Sequence, residues 1–232
     1  MITSGFHPHE TQCGINMIDA ALNNFRYGGP VKHMLYSSVI FPILRKLLNH
    51  DDERYVEEYL VEPGLPYTII QPTHLMETFP IAKVIAGEHN VHPALWDPKI
   101  MFSYVSCIDV GETAAKVLNQ REKHYNATDQ LVGTAVPLSY NRAIQIVNEK
   151  TGKQVKLERK SLEQATEIFA TTAVGWKPEP EREAMESGAV RMFLYYNERG
   201  LVGNSNALEM LLGRKPLGYK DWVQQNTDKQ NP

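Results

Sequence analysis

Cysteine is scarce in this chain: 232 residues carry only Cys13 and Cys107. Two isolated thiols form neither a metal-ligand spacing nor a disulfide framework. They are expected as small buried or half-buried side chains in a reducing compartment. No apolar run approaches the ~20 residues that cross a bilayer. The N-terminus also lacks the basic stretch and apolar core of a secretory leader. A cytoplasmic location, with the nucleus also open, and no membrane partner are therefore expected. An excess of one charge is missing too: 24 Lys and Arg against 27 Asp and Glu leave a formal charge of −3. That offers no electrostatic footprint for nucleic acid. Internal repeats and low-complexity tracts are absent.

What remains is a globular composition, 42% hydrophobic and 22% charged, enough for one sizeable core. The chain is organised around residues 31–78. Two apolar runs, V-K-H-M-L-Y-S-S-V and P-Y-T-I-I-Q-P-T, flank a segment of helical period through Leu44, Leu47, Leu48, Tyr55, Val56, Tyr59 and Leu60. The spacing predicts strand, helix over 42–62, strand, joined by a right-handed parallel crossover. Each run ends in polar residues, and in an open α/β sheet ligands bind beyond the carboxyl ends of the strands.

Upstream, Ile15, Ile18, Leu22 and Phe25 share one face of a helix that Thr11 would cap. Tyr27-Gly-Gly-Pro30 ends it. Downstream, 79–100 has no clear period but holds His89, His92 and Trp96. A strand is expected over 101–106. Asp109 would cap the following helix, with Glu112 completing a capping box. Further strands are expected at 130–134 and 154–157, and helices at 141–150, 161–171, 179–198, 205–212 and 219–225. The aromatics Phe193, Tyr195 and Tyr196 read as packing, and 227–232 as a frayed tail.

The ordered set V-K-H-M-L-Y-S-S-V, L-L-N-H, R-Y-V-E-E-Y-L, G-L-P-Y-T-I-I-Q-P and H-L-M-E-T resembles the NmrA-like family, atypical short-chain dehydrogenase/reductases that bind NAD(P). The likeness runs from about residue 3 to 223, and L-G-R-K-P followed by D-W-V is similar to fungal-type members. It implies an α/β fold with a Rossmann-like parallel sheet. Residues 1–135 would form the C-terminal part of the NAD(P)-binding domain. Residues 136–232 would form a smaller, mostly helical substrate-side region, the two intertwined as one NmrA-like domain. In such a fold, 79–100 would lie over the strand ends and help form a substrate pocket.

Against this resemblance two motifs are missing. No G-x-G-x-x-G occurs, the turn whose glycines let backbone approach a pyrophosphate at a helix N-terminus. The family places it on the first strand, so the first three strands are expected to be missing. Residues 1–5 would then be an open sheet edge, inviting homo-oligomerisation or a protein partner. No Tyr-x-x-x-Lys occurs either, the pair that moves a proton in typical short-chain dehydrogenases. The lysine that atypical members keep before V-E-E-Y falls on Glu53.

The cofactor-side residues implied by the resemblance are Thr3, Ser4 and Gly5 after the fourth strand and Ser37 and Ser38 ending the fifth. Glu53, Thr73, His74, Leu75, Met76, Glu77 and Thr78 complete the set, with His74 a candidate proton donor. No catalytic residue and no metal ligand is assigned. The implied activity is hydride transfer between NADP or NAD and a small carbonyl or enone, within fungal small-molecule metabolism. The alternatives are a non-catalytic NAD(P)-sensing regulator and an inactive remnant.

Overall fold

The computed structural model describes residues 7–172 and 181–230. The expectations for residues 1–5, including Thr3, Ser4 and Gly5, lie outside them. In chain order the elements are α1 (Glu10–Arg26), β1 (Met34–Ser37), α2 (Leu48–Val61), β2 (Tyr67–Pro72), β3 (His74–Leu75), α3 (Ile81–Ala86) and β4 (Val91–Ala94). Next come β5 (Met101–Phe102), β6 (Tyr104–Val105), α4 (Cys107–Gln120), β7 (Ala127–Leu131), β8 (Leu138–Ser139), α5 (Tyr140–Thr151) and β9 (Lys156–Arg159). The chain closes with α6 (Leu162–Thr172), α7 (Glu181–Glu198), α8 (Asn206–Leu212) and α9 (Tyr219–Gln230).

The main sheet is parallel, in the order β1-β2-β7. Met34 lies opposite Tyr67, and Ile69 opposite both Tyr36 and Thr128. The chain beyond β1 stays on β2, with Ser38 N donating to Ile70 O at 2.9 Å and Ile40 N to Pro72 O at 3.0 Å. Helices α1 and α2 cover one face: Ile18 and Leu22 pack with Val56, Leu60, Tyr36 and Ile69. The two helices approach closely because Gly14 faces Val56; a Cβ there would lie 2.7 Å from Val56 Cγ2. Burying each such Ile or Leu is worth roughly 1.5–3 kcal/mol. A larger core joins Ile40, Leu47 and Met76 to Ile144, Phe193 and Trp222.

The short strands β5 and β6 are tied to the far end of the chain. Ser103 N donates to Leu201 O at 2.8 Å, and Gly203 N donates to Ser103 Oγ at 3.1 Å. Among the described residues no helix is long and apolar enough to cross a membrane.

Several expectations are corrected. Helix α2 begins at Leu48, not at 42. Leu44 and Leu47 keep the helical phase but pack into the larger core, whereas Val56 and Leu60 belong to the α1 side. The chain turns ahead of both pairs, at Phe41 with φ 56°, and the helix does not start until after Leu47. His50 Nδ1 lies 3.1 Å from the Phe41 carbonyl oxygen, holding that turn.

Helix α1 begins at Glu10, so Thr11 sits inside it, and its hydroxyl reaches Asp52 O at 3.3 Å instead. Helix α4 is capped by Ser106, whose hydroxyl accepts from Asp109 N at 3.1 Å. Asp109, one turn too late to cap, is buried and accepts from Leu217 N at 2.6 Å and Arg214 Nη2 at 2.8 Å. Strand β7 runs at 127–131 because the chain turns at Asn126, φ 60°, straight into pairing with β2. The β9 pairing is Lys156–Arg159, two residues later than expected. Helix α9 continues to Gln230, where fraying was expected, its polar side chains bonding back: Thr227 Oγ1 donates to Val223 O at 2.9 Å. Both cysteines are exposed rather than buried, Cys13 on the outer side of α1 and Cys107 on the first turn of α4.

Candidate functional site

The carboxyl end of β2 leads, through β3, to a cavity of about 630 Å³. Sheet pairing assembles its walls. β3 continues beyond β2 and pairs with β6, setting His74 beside Tyr104. The Thr73 hydroxyl fixes this step by donating to Ser103 O at 3.0 Å. β4 pairs with β9 and presents His92 and Pro93, followed by Leu95 and Trp96. β5 pairs with β8, which delivers Tyr140 to stack on Trp96 with centroids 4.8 Å apart and planes at 27°. Ile168, Phe169, Met192 and Tyr196 come from α6 and α7, and Tyr219 from the start of α9. The Asp109 carboxylate sets that start by holding Leu217 N.

These walls are aromatic and uncharged; no Asp, Glu, Lys or Arg lines the cavity among the described residues. Three residues that line it each carry a buried polar atom with no hydrogen-bond partner among the described residues: the Tyr104 hydroxyl, Trp96 Nε1 and Asn49 Oδ1. A buried polar group without a partner costs about 1–3 kcal/mol, so such atoms call for an explanation. Burial pushes the hydroxyls of Tyr104, Tyr140, Tyr196 and Tyr219 well up, so they stay protonated. Burial pushes the imidazoles of His74 and His92 down to about 4, so both are neutral near pH 7. As a neutral ring, His74 can give a proton only from its one N–H.

Of the residues expected at the cofactor side, His74, Met76 and Thr78 line this cavity. Ser37 is half-buried at the end of β1, and Ser38 is buried just beyond it. The Ser38 hydroxyl acts on the Glu57 carboxylate from outside strict hydrogen-bond geometry. Gln71 Nε2 donates to that carboxylate at 2.9 and 3.1 Å. Burial raises the Glu57 carboxyl, and these donors oppose the rise. Glu53, one turn before Glu57 on α2, is buried and accepts from the Tyr36 hydroxyl. Leu75 packs with Ile70 and Val105. Glu77 turns away from the cavity; its carboxylate accepts from Cys107 N at 2.9 Å and Trp222 Nε1 at 3.1 Å.

The cavity residues not expected from sequence are Asn49, Tyr104, Tyr140, Ile168, Phe169, Met192 and Tyr219, with Tyr196 read only as packing. They are scattered along the chain, and no local pattern joins them.

A sequence model described as the NmrA-like family matches residues 1–219. The chain belongs to the NmrA-like family. No match among curated protein sequences was found. Solved structures resemble this NmrA-like chain throughout. An NADPH-dependent quinone oxidoreductase from Escherichia coli, complexed with NADPH, is 21% identical with a TM-score of 0.71, over 97% of this chain and 74% of that one. A triphenylmethane reductase from Citrobacter sp., complexed with NADP(H), is 21% identical with a TM-score of 0.72, over 97% and 75%. The negative transcriptional regulator Nmra in complex with NAD is 14% identical with a TM-score of 0.64, over 96% and 71%. At these identities the likeness establishes the fold, a Rossmann-like α/β architecture.

Proposed function

We propose that this NmrA-like protein is an NAD(P)-dependent oxidoreductase that reduces a flat, uncharged, conjugated carbonyl compound. The observation that carries the reading is the aromatic cavity with its unpartnered Tyr104 and Trp96 donors. A planar ring system fits between stacked aromatic walls. Its carbonyl oxygen accepts from Tyr104 Oη–H and Trp96 Nε1–H, satisfying two groups that are otherwise buried without partners. An uncharged lining selects against ionic substrates. The relatives complexed with NADPH, NADP(H) and NAD support the choice of cofactor.

The residues present fit the nicotinamide end of such a cofactor. The chain leaving β2 reaches the cavity at His74, and the buried Ser38 hydroxyl, just beyond β1, has no strict partner among the described residues. Ser37, Ser38, Thr73, His74, Leu75, Met76 and Thr78 would flank the ribose and nicotinamide, with Thr3, Ser4 and Gly5. A glycine-rich phosphate cradle is not found among the described residues. When bound, the reduced cofactor supplies a hydride. Glu53 and Glu77 serve this site indirectly, by bracing Tyr36 and Trp222.

A second reading, an NAD(P)-sensing regulator without turnover, is favoured by Glu53: it stands at the lysine position and is spent on Tyr36. The third, an inactive remnant, predicts no cofactor binding. A thermal-shift titration with NADPH and NAD, followed by NADPH oxidation with 1,4-naphthoquinone, separates the three. A saturable shift plus quinone-dependent oxidation supports the reductase. A shift without oxidation supports the regulator, and no shift overturns both. The location proposed is cytoplasmic or nuclear, in line with two free exposed thiols. The sheet edge expected at residues 1–5 is proposed to pair with a second copy or a protein partner, which light scattering against concentration would read.

A further inference from the structure

We propose that His92 and His89 form a two-ring proton relay that carries a proton from solvent to the oxygen of a carbonyl reduced in the cavity. The relay rests on the reductase reading above. His92 lines the cavity on β4, and His89 is half-buried on the turn between α3 and β4. Their rings are joined by a hydrogen bond between His89 Nε2 and His92 Nδ1 at 3.1 Å, with centroids 5.3 Å apart. Phe79 packs against both rings, at 4.9 Å from His92 and 6.5 Å from His89, and fixes their approach. With Nδ1 engaged, Nε2 is the His92 nitrogen left to meet a ligand. With Nε2 engaged, Nδ1 is the His89 nitrogen left to meet water. No third His, Cys, Asp or Glu joins the pair to make a metal set among the described residues.

The other cavity groups do not serve. Burial makes the tyrosine hydroxyls poor proton donors. His74 has a route outward through Thr78, with its Nε2 3.3 Å from Thr78 Oγ1. That route is blocked: the single Thr78 hydroxyl hydrogen is donated to Leu75 O at 2.8 Å, so Thr78 can only accept from His74.

The proton balance is complete. A hydride, from the reduced nicotinamide dinucleotide named above, adds to a carbon of the conjugated carbonyl. The π pair moves to oxygen, and the carbonyl is reduced. The oxygen takes the proton from His92 Nε2, and His92 Nδ1 takes the proton from His89 Nε2. His89 Nδ1 then takes one proton from solvent. Both rings remain neutral with their tautomers reversed, and ring rotation resets them. Near pH 7 both imidazoles rest in the neutral form, which relay by tautomer exchange requires.

The test uses the full chain with ¹⁵N-labelled histidine. Long-range ¹H–¹⁵N spectra should show His89 and His92 neutral, with Nε2–H on His89 and an accepting Nδ1 on His92. Adding 1,4-naphthoquinone should shift both rings together. With NADPH and 1,4-naphthoquinone, His92→Gln and His89→Gln should each lower kcat by about 100-fold with KM little changed, and the solvent isotope effect should rise. Imidazole in the buffer should restore rate to His89→Ala. Should His92→Gln fail to fold, the half-exposed His89 variants still decide. Wild-type turnover with unchanged kcat and isotope effect in the His89 variants would overturn the relay and leave the reductase standing. Cofactor binding by the wild type with no quinone-dependent oxidation would overturn both. Spectra with the opposite tautomer on His92 would overturn the relay alone.

Discussion

Replacing Tyr104 by Phe should make this protein more stable and a poorer binder at once. The Tyr104 ring is 3% exposed and packs edge-on to His74 at 5.3 Å and against Tyr219 at 5.3 Å. Phe keeps those contacts and removes only the hydroxyl, which is buried without a partner among the described residues. Burying an unpaired hydroxyl costs about 1–3 kcal/mol. Taking the low end of that range, the variant gains about 1 kcal/mol. For a chain of this size that is a rise in Tm of roughly 2–4 °C. The same deletion removes one donor from a carbonyl ligand, weakening binding by about 1 kcal/mol, or roughly fivefold. Urea melts of the two proteins and a fluorescence titration with 1,4-naphthoquinone measure both sides. A Phe variant that is equally or less stable would refute the reasoning, since the hydroxyl would then have a partner. A gain in stability with unchanged affinity would remove Tyr104 as the carbonyl anchor.

Further outcomes follow from other sites. Asp109→Ala should cost about 2–4 kcal/mol, because it strips the buried acceptor from Leu217 N and Arg214. Arg214→Ala, at the exposed end of the pair, should cost under about 1 kcal/mol in the same urea melt. Gly200→Ala should destabilise by at least about 1–3 kcal/mol, as Gly200 sits at φ +62° and a Cβ would lie 2.1 Å from Met101 O; thermal unfolding would show it. His50 is fully buried, and burial lowers its pKa from 6.5 to about 4. The unfolded chain therefore binds its proton first as pH falls. The neutral ring's contribution is complete above about pH 6.5 and lost toward pH 4, by roughly 3 kcal/mol. His50→Gln should flatten the acid limb of stability against pH.

The frame of the fold was legible because its signals are local. Two β-rich runs ending in Ser37-Ser38 and Pro72-Thr73, with helical spacing between, predict the parallel pairing of β1 and β2, and Tyr27-Gly-Gly-Pro30 marks the break before it. Errors fell where one local pattern served two cores. Leu44 and Leu47 continue the phase of Val56 and Leu60, yet the two pairs pack into different cores, and periodicity does not carry that choice. Asp109 and Glu112 have capping spacing, but Ser106 comes first and takes the role, freeing Asp109 to hold the 214–217 segment. The cavity was the least legible part. Trp96 falls in the 79–100 segment expected over the strand ends and Tyr196 reads as packing, but Tyr104, Tyr140 and Tyr219 carry no local signal, and only pairing between β3 and β6, β4 and β9, and β5 and β8 brings these residues to one space. The one available signal was the density of Tyr and Trp, whose polar tips need partners wherever their rings are buried.

The ties of Ser103 to Leu201 and Gly203 join positions 98 and 100 residues apart. On the ribosome, the middle of the chain emerges long before the strand that completes it. At ordinary elongation rates the wait is about 5–20 s. Through that interval Phe102, Tyr104 and their aromatic neighbours are apolar surface without cover. Synthesis of this protein should therefore draw on chaperones that shield nascent chains, and slowing translation ahead of Leu201 should cost yield.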